Sequence, residues 1–436
     1  MTEKCIIGKR IDFCGEIRYT DKDETGNGEE IMKKAELLAP AGDLQRLKVA
    51  FLYGADAVYI GGEEFSMRTA CDNFSPEEMK EGIAFAKDRG KKVYVALNVI
   101  MRQADMDRLG EYVRFLEKIG ADGVIVSDLG AFGLIRQAAP KLPVHISTQA
   151  NITNAETACA WHRMGAERVV LARELSREEV LSIRQNTPPQ LELEMFVHGA
   201  MCVSYSGRCL MSNYMVGRDA NRGDCAQACR WKYTLMEEKR PGEYMPIVEN
   251  DRGTYIFNAK DLCLLEFLPE ILRGGVSSLK IEGRVKSEYY VATVVRAYRQ
   301  EMDRFYADPE NYTLSEEALH TVCKVSHRQY CHGFWNGEAK ETGQILASSS
   351  YIRDYQVVGM VTEEESGYLR FSQRNKFSVG DVLEIMTPMG KEYTHTVTQM
   401  YDGEGNQIDS APHATQTVRI PMEGSFPAYS MIRRKI

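Results

Sequence analysis

From Glu36 onward the chain alternates short apolar runs with amphipathic stretches of helical length. The runs are Glu36–Ala41, Asp56–Gly61, Lys92–Asn98, Gly123–Asp128, Val144–Gln149, Arg168–Glu174, Glu192–Gly199 and Ser278–Arg284. Each is continuous rather than alternating, the pattern of a strand covered on both faces. The stretches between them carry helix punctuation. Ser75-Pro76-Glu77-Glu78 reads as a capping box with proline in the first turn, and Ser176 with Glu179 repeats it. Gly54, Gly120 and Gly165 stand just before strands, where glycine can end a helix in the left-handed conformation. Eight strands, seven crossovers and a closing helix at Glu288–Ala307 predict an α/β fold, a (β/α)8-type TIM-like barrel over residues 34–307. Spacing alone leaves a doubly wound open sheet as the alternative.

The flanks have a different texture. Residues 1–33 lack periodicity and read as an N-terminal extension, with Met32 as an alternative start. Beyond a connecting region at 308–350, the runs Val357–Val361, Tyr368–Phe371, Asp381–Ile385 and Thr417–Ile420 are separated by glycine-containing turns. They predict a small C-terminal β-barrel domain at 351–436, of a kind that handles RNA or simply docks. The interval between the seventh and eighth strands, Met201 to Val276, is far longer than the others. Loops after barrel strands build the active face, so this insertion is a natural place for chemistry.

Composition narrows the classes. A chain of 436 residues with 44% hydrophobic content can fill a barrel and a smaller module. No apolar run approaches a membrane span and no signal peptide is visible, so a cytoplasmic protein without membrane contact is expected. The net charge of −8 repels nucleic acid overall, and an RNA partner would need a local basic surface. Eleven cysteines, an odd count without a secretory signal, argue for metal binding or burial over a disulfide framework. Cys5, Cys14, Cys71 and Cys159 read as isolated, buried or neutral residues.

Four cysteines lie in the loop 200–233: Cys202, Cys209, Cys225 and Cys229. Gly199, Gly207, Gly217 and Gly223 let the backbone turn sharply enough for four thiolates to meet. Arg208, Arg218, Arg222 and Arg230 would favour thiolates and offset their charge. Only Cys225/Cys229 is a tight pair, which departs from structural zinc spacing, yet no ferredoxin-type run is present either. On spacing, an iron–sulfur cluster, zinc and no metal stand level. Cys263 is an alternative fourth ligand, or a half-buried residue opening a helix.

At this loop the sequence becomes recognisable. Glu194 to Cys202, followed by Gly207-Arg208-Cys209-Leu210-Met211-Ser212, resembles the signature of the U-thirty-two peptidase family, the collagenase-like proteins. Glu36 to Gly42, Ala57 to Gly61, Ser147 to Asn151, Lys280 to Arg284, and Ser326 to Arg328 with Gly333-Phe334 resemble the same family, as does the terminal β domain. The likeness is strongest to the branch that hydroxylates tRNA. It implies a 4Fe-4S cluster on Cys202, Cys209, Cys225 and Cys229, and formation of 5-hydroxyuridine at the tRNA wobble position with prephenate as co-substrate and no molecular oxygen. It also implies the tRNA anticodon region as partner and, since some relatives work as pairs, a protein partner.

Such a reaction needs a carboxylate pocket and a basic path for the anticodon strand. Arg173 is placed to clamp a carboxylate, and Gln149 and Asn151 to orient hydroxyls. His198, Glu282 and Arg284, with Lys280 and Lys286 nearby, are further strand-end candidates, whereas His145 lies earlier on its strand. Arg218, Arg222, Arg230 and Lys232 supply local positive charge for RNA, with Trp231 and Tyr233 as stacking platforms. The peptidase name, the alternative reading, needs a nucleophile or a hydrolytic metal; the sequence has no His-Glu-x-x-His and no Gly-x-Ser-x-Gly. Cys323, His327, Cys331 and His332 read as a packed helix end rather than a second metal cluster.

Overall fold

Eight parallel strands close into a barrel in this computed structural model, which describes residues 33–66, 73–202, 209–218, 220, 224–231, 260–337 and 351–436. In chain order its elements are β1 (Glu36–Pro40), α1 (Leu44–Leu52), β2 (Ala57–Gly61), α2 (Pro76–Lys87), β3 (Lys92–Leu97), α3 (Gln103–Ile119), β4 (Gly123–Val126) and α4 (Leu129–Ala138). There follow β5 (Val144–Ile146), α5 (Ala155–Arg163), β6 (Arg168–Val170), α6 (Arg177–Gln185), β7 (Glu192–Ala200), α7 (Met211–Val216), β8 (Asp261–Cys263), α8 (Leu268–Arg273), β9 (Ser278–Ile281) and α9 (Glu288–Ala307). Strands β1 to β7 pair in sequence, β9 pairs with β1, and a β7–β9 ladder closes the ring. Closure removes the doubly wound alternative.

Local sequence explains the elements. The Ser75 and Ser176 hydroxyls accept from the amides of Glu78 and Glu179, whose carboxylates accept from the serine amides in return. Gly54, Gly120 and Gly165 sit at φ 109°, 81° and 106°, conformations that glycine adopts without a Cβ penalty. β5 and β6 end earlier than the runs that predict them, for a physical reason. After Ile146 the Ser147 side chain caps a single turn, Thr148–Ala150, and Leu171 leaves β6 to bridge Ile152.

One barrel-edge strand was not foreseen. β8 runs antiparallel to the end of β7, and β10 (Tyr330–Cys331), reached after α10 (Glu316–Cys323), pairs parallel to β8. Cys263 therefore lies buried in a strand instead of opening a helix.

The C-terminal module comprises β11 (Tyr355–Val361), β12 (Tyr368–Gln373), β13 (Phe377–Ser378), β14 (Val382–Met386), β15 (Glu392–Thr396), β16 (Met400–Asp402), β17 (Gln407–Ile408), β18 (Ser410–Ala411), β19 (Thr417–Pro421) and β20 (Met431–Lys435). Eight of these strands form one antiparallel half-barrel around a core of its own. A seam of charge joins it to the barrel. Arg296 of α9 pairs with Glu392, Lys324 with Glu384, and the fully buried Arg433 with both carboxylates. Among the described residues no helix is long and apolar enough to cross a membrane.

Candidate functional site

Inside the barrel the inward positions form a charged layer beneath an aromatic one. Arg168 of β6 holds Glu36 of β1 at 2.7 Å, Glu192 of β7 at 2.6 Å and Glu194 of β7 at 3.0 Å. Lys280 of β9 reaches the other oxygen of Glu194 at 2.8 Å. Tyr94 and Ser278 donate their hydroxyls to Glu36. Burial alone would lower the Arg168 pKa, but the Glu36 and Glu194 carboxylates more than reverse this and hold the guanidinium charged. His145 also faces this interior, edge-on to Tyr94. Burial, reinforced by Arg168, Lys280 and Lys92, pushes its pKa well below the ordinary histidine value and keeps it neutral.

Above the layer, the Lys280 ammonium stands over the Tyr59 ring at 4.5 Å and the Phe196 ring at 5.3 Å. Arg173, just past β6, covers Phe196 at 4.8 Å and donates to the Ala200 carbonyl at 2.8 Å. The Tyr59 hydroxyl lies 3.0 Å from the Ile281 carbonyl and 3.4 Å from the Glu282 carboxylate. Arg284 is buried and donates to Ser66 at 2.7 Å, over Gly61; a Cβ there would fall 2.0 Å from its guanidinium. Gln149 is buried and its amide oxygen accepts from Ser147. Thus Arg173, Gln149, Glu282 and Arg284 all lie at the carboxyl ends of barrel strands, with Lys280 and Phe196 below. The charge of this mouth suits anionic groups, and its aromatic floor suits a flat apolar body.

His198 is the exception, and its placement corrects the expectation of a strand-end catalytic histidine. The β7–β9 register shifts between Phe196 and His198, so that two β7 residues oppose one on β9. This bulge turns His198 outward. Its ring lies among Tyr290, Tyr298 and Tyr330, only 1% exposed, and burial lowers its pKa to about 3. Cys263 sits directly across the ladder, its thiol pushed up to about 12 by burial. A cysteine–histidine nucleophile needs the opposite shifts.

The cysteine loop is described in part. The Sγ of Cys209 accepts from the Met211 amide and that of Cys225 from the Gln227 amide, each at 3.4 Å. Ser212 binds the two segments together, with its hydroxyl 2.9 Å from the Ala226 amide and 3.4 Å from the Asp224 carbonyl. Cys229 follows on a short turn, Ala228–Arg230, packed against α7. None of Cys202, Cys209, Cys225, Cys229 and Cys263 takes part in a disulfide. Among the described residues no three His, Cys, Asp or Glu side chains stand together as a metal-holding group. The donor chemistry and the amide-to-sulfur bonds suit a thiolate-ligated centre, whereas convergence of the four sulfurs is not a feature of this structure.

Of the residues expected to meet RNA, Arg218 is half-exposed and paired with Asp224 at 2.6 Å, and Trp231 is 45% exposed. Arg222, Lys232 and Tyr233 lie outside the described residues, as do Cys5, Cys14, Cys71, Arg208 and the side chain of Arg230. His327 stacks on Tyr330 and His332 pairs with Glu266. Sequence reasoning missed the Glu36–Arg168–Glu194–Lys280 layer and the buried Trp335, which lines a small cleft together with Arg173 and Phe196. Only the inward alternation of charged residues on β7 and β9 signalled the first.

A closed parallel barrel with a cationic mouth and a cysteine loop after its seventh strand defines the class. Residues 42–345 match the model of peptidase family U32, and residues 353–433 that of the peptidase family U32 C-terminal domain. The chain belongs to peptidase family U32. It is 40% identical to the tRNA hydroxylation protein P1 of Bacillus subtilis, over 94% of this chain and 97% of that one. It is 37% identical to the 23S rRNA 5-hydroxycytidine C2501 synthase of Escherichia coli, over 62% of this chain and 39% of that protein. A Porphyromonas gingivalis protein named collagenase is 34% identical over 91% of this chain and 95% of its own length.

Proposed function

We propose that this protein is an RNA-modifying hydroxylase, acting on the wobble uridine of tRNA to form 5-hydroxyuridine with prephenate as co-substrate. The observation that carries the reading is the end-to-end similarity to a tRNA hydroxylation protein, 40% identical over 94% of the chain. The second RNA-hydroxylating relative shares the barrel-sized part of the likeness. In this reading Arg173 and Lys280 attract the co-substrate's carboxylates, Gln149 meets the edge of the flipped base, and Arg284 and Glu282 fix its orientation. Trp231 and the basic residues Arg218, Arg222, Arg230 and Lys232 guide the single-stranded anticodon loop. Cys202, Cys209 and Cys225, with Cys229 or Cys263, would hold a 4Fe-4S cluster. That cluster supplies redox chemistry when bound, and the loop must draw the sulfurs together as it loads.

The test is nucleoside analysis of bulk tRNA from a deletion strain lacking any second such enzyme. Loss of 5-hydroxyuridine-derived nucleosides, restored by the intact gene and not by Cys209→Ser, is expected. Unchanged levels would sink the proposal. A hydrolytic reading draws support from the collagenase relative, and degradation of collagen by the pure protein would favour it. The opposed shifts on Cys263 and His198 count against that pair as its machinery.

A further inference from the structure

The loop after β9, Glu282 to Lys286, brings Glu282 and Arg284 to the mouth, where Tyr59 and Ser66 meet their side chains. Behind the loop stands Tyr290, in the first turn of α9. Its hydroxyl donates to the Glu282 carbonyl at 3.0 Å. The ring is only 3% exposed, so water cannot take over that bond. Burial, with the Asp261 and Glu282 carboxylates nearby, raises the phenol's pKa well above its ordinary value and keeps the donated proton in place.

The contact is a close one. A Cβ on Gly283 would fall 2.7 Å from the Tyr290 ring, and one on Gly199 would fall 2.5 Å from the Glu282 carbonyl. Two glycines, one on β7 and one in the loop, therefore make room for it. Tyr290 is also a fixed point, because its own turn is anchored. The Ser287 hydroxyl caps α9 by accepting from the Tyr290 amide at 3.3 Å, and the Gln45 amide of α1 donates to the Glu288 carboxylate at 3.2 Å. Two backbone bonds run through the loop itself, from the Glu282 amide to the His198 carbonyl at 2.8 Å and from the Lys286 amide to the Gly283 carbonyl at 2.9 Å.

Tyr289 supplies an internal comparison. It is buried to nearly the same extent, at 5% exposure, and its hydroxyl also donates to a carbonyl at 3.0 Å. That carbonyl belongs to Lys324, just after α10, and not to the loop. We infer that Tyr290 is a positioning residue: its hydroxyl sets the path of the loop after β9, and with it the placement of Glu282 and Arg284. The role of those two side chains rests on the proposed function, whereas the hold on the loop stands on the geometry alone.

Hydrogen exchange of the full-length protein, read by mass spectrometry on peptides spanning Glu282 to Lys286, tests the hold. Tyr290→Phe should speed exchange there about fivefold, the usual effect of one buried hydrogen bond, and Tyr289→Phe should leave the segment unchanged. In tRNA hydroxylation by protein reconstituted anaerobically with iron and sulfide, Tyr290→Phe should lower turnover about ten- to hundredfold, as misplaced groups do. The KM for tRNA should stay within about threefold, because phosphate contacts dominate it. Tyr289→Phe loses a bond of the same kind, so its thermal unfolding should fall as far while its turnover holds. Gly283→Ala, which wedges a methyl between loop and ring, is a second probe and should act as Tyr290→Phe does. Intact-like exchange or turnover in Tyr290→Phe, or equal loss of turnover in both tyrosine variants, overturns the assignment. Faster exchange in a protein whose intact form leaves tRNA unmodified would sink the functional reading and leave the hold on the loop standing.

Discussion

Glu194→Gln is the sharpest probe of the barrel interior. The Glu194 carboxylate is fully buried, with one oxygen 2.8 Å from Lys280 and the other 3.0 Å from Arg168. The amide keeps the shape and removes the charge. Arg168 retains Glu36 and Glu192, so the loss falls mainly on Lys280, an ammonium left in a closed interior above two rings. Removing one partner of a buried pair costs about 3–5 kcal/mol, most of it the price of the stranded charge. With Arg168 still held, the lower end, about 3 kcal/mol, is expected. Glu194→Leu combined with Lys280→Met removes both charges and should recover much of that loss, because apolar replacement of a whole buried pair is often nearly neutral. Urea unfolding monitored by far-ultraviolet circular dichroism reads the change as a shift in midpoint at constant slope. A cost below about 1 kcal/mol for Glu194→Gln, or a double variant no better than the single one, would refute the claim that this layer is a coupled charge network.

Other expectations follow from single sites. His145 is neutral in the fold and its pKa lies below the unfolded value near 6.5. The stability it contributes is therefore present above that pH and is lost as pH falls below it; urea titrations at pH 7 and pH 5 should show His145→Phe flattening that slope. Gly61→Ala places a methyl against the Arg284 guanidinium and the Ser66 hydroxyl, so it should cost about 1–3 kcal/mol, and Gly61→Ala and Arg284→Ala should each reduce the proposed tRNA hydroxylation. Serine at Cys202, Cys209 or Cys225 should abolish iron and sulfide in anaerobically purified protein, measured chemically and by absorbance. The same assay on Cys229→Ser and Cys263→Ser identifies the fourth ligand by which of the two loses iron.

The barrel was legible because its signals are local. Eight apolar runs, two capping boxes and three glycines before strands are each written within a few residues, and the structure returns all eight strands and α9 at Glu288–Ala307. What escaped depends on partners distant in the chain. β8 is three residues long, Asp261–Cys263, and exists because the end of β7 offers it a ladder. β15, Glu392–Thr396, is polar and gains its place from pairing with β14. Lys280 was visible as a charge near a strand end, but its role needs Glu194, 86 residues earlier. Trp335 could not be joined to Arg173 by any spacing rule, since its place is set from far along the chain, its carbonyl accepting from the Arg177 amide at the start of α6.

The bulge on β7 explains both the outward histidine and the path by which the strand leaves the ring. Inward positions on this strand run Glu192, Glu194, Phe196, and strict alternation would make His198 the next one. One extra residue between Phe196 and His198 reverses the facing and sends His198 against α9. Immediately afterwards Gly199 adopts φ 110°, and a Cβ there would fall 2.5 Å from the Glu282 carbonyl, so only glycine lets β7 pass so close to the loop after β9. The strand then leaves the ring, and its last three residues pair with β8. That departure gives Arg173 the Ala200 carbonyl as an anchor and carries Met201 up to Gly333, where an added Cβ would lie 3.7 Å from its methyl. A straight β7 would return the chain to the ring and point a histidine into the mouth. The bulged one spends those positions on the ladder with β8 and packs the histidine among the tyrosines of α9 and β10.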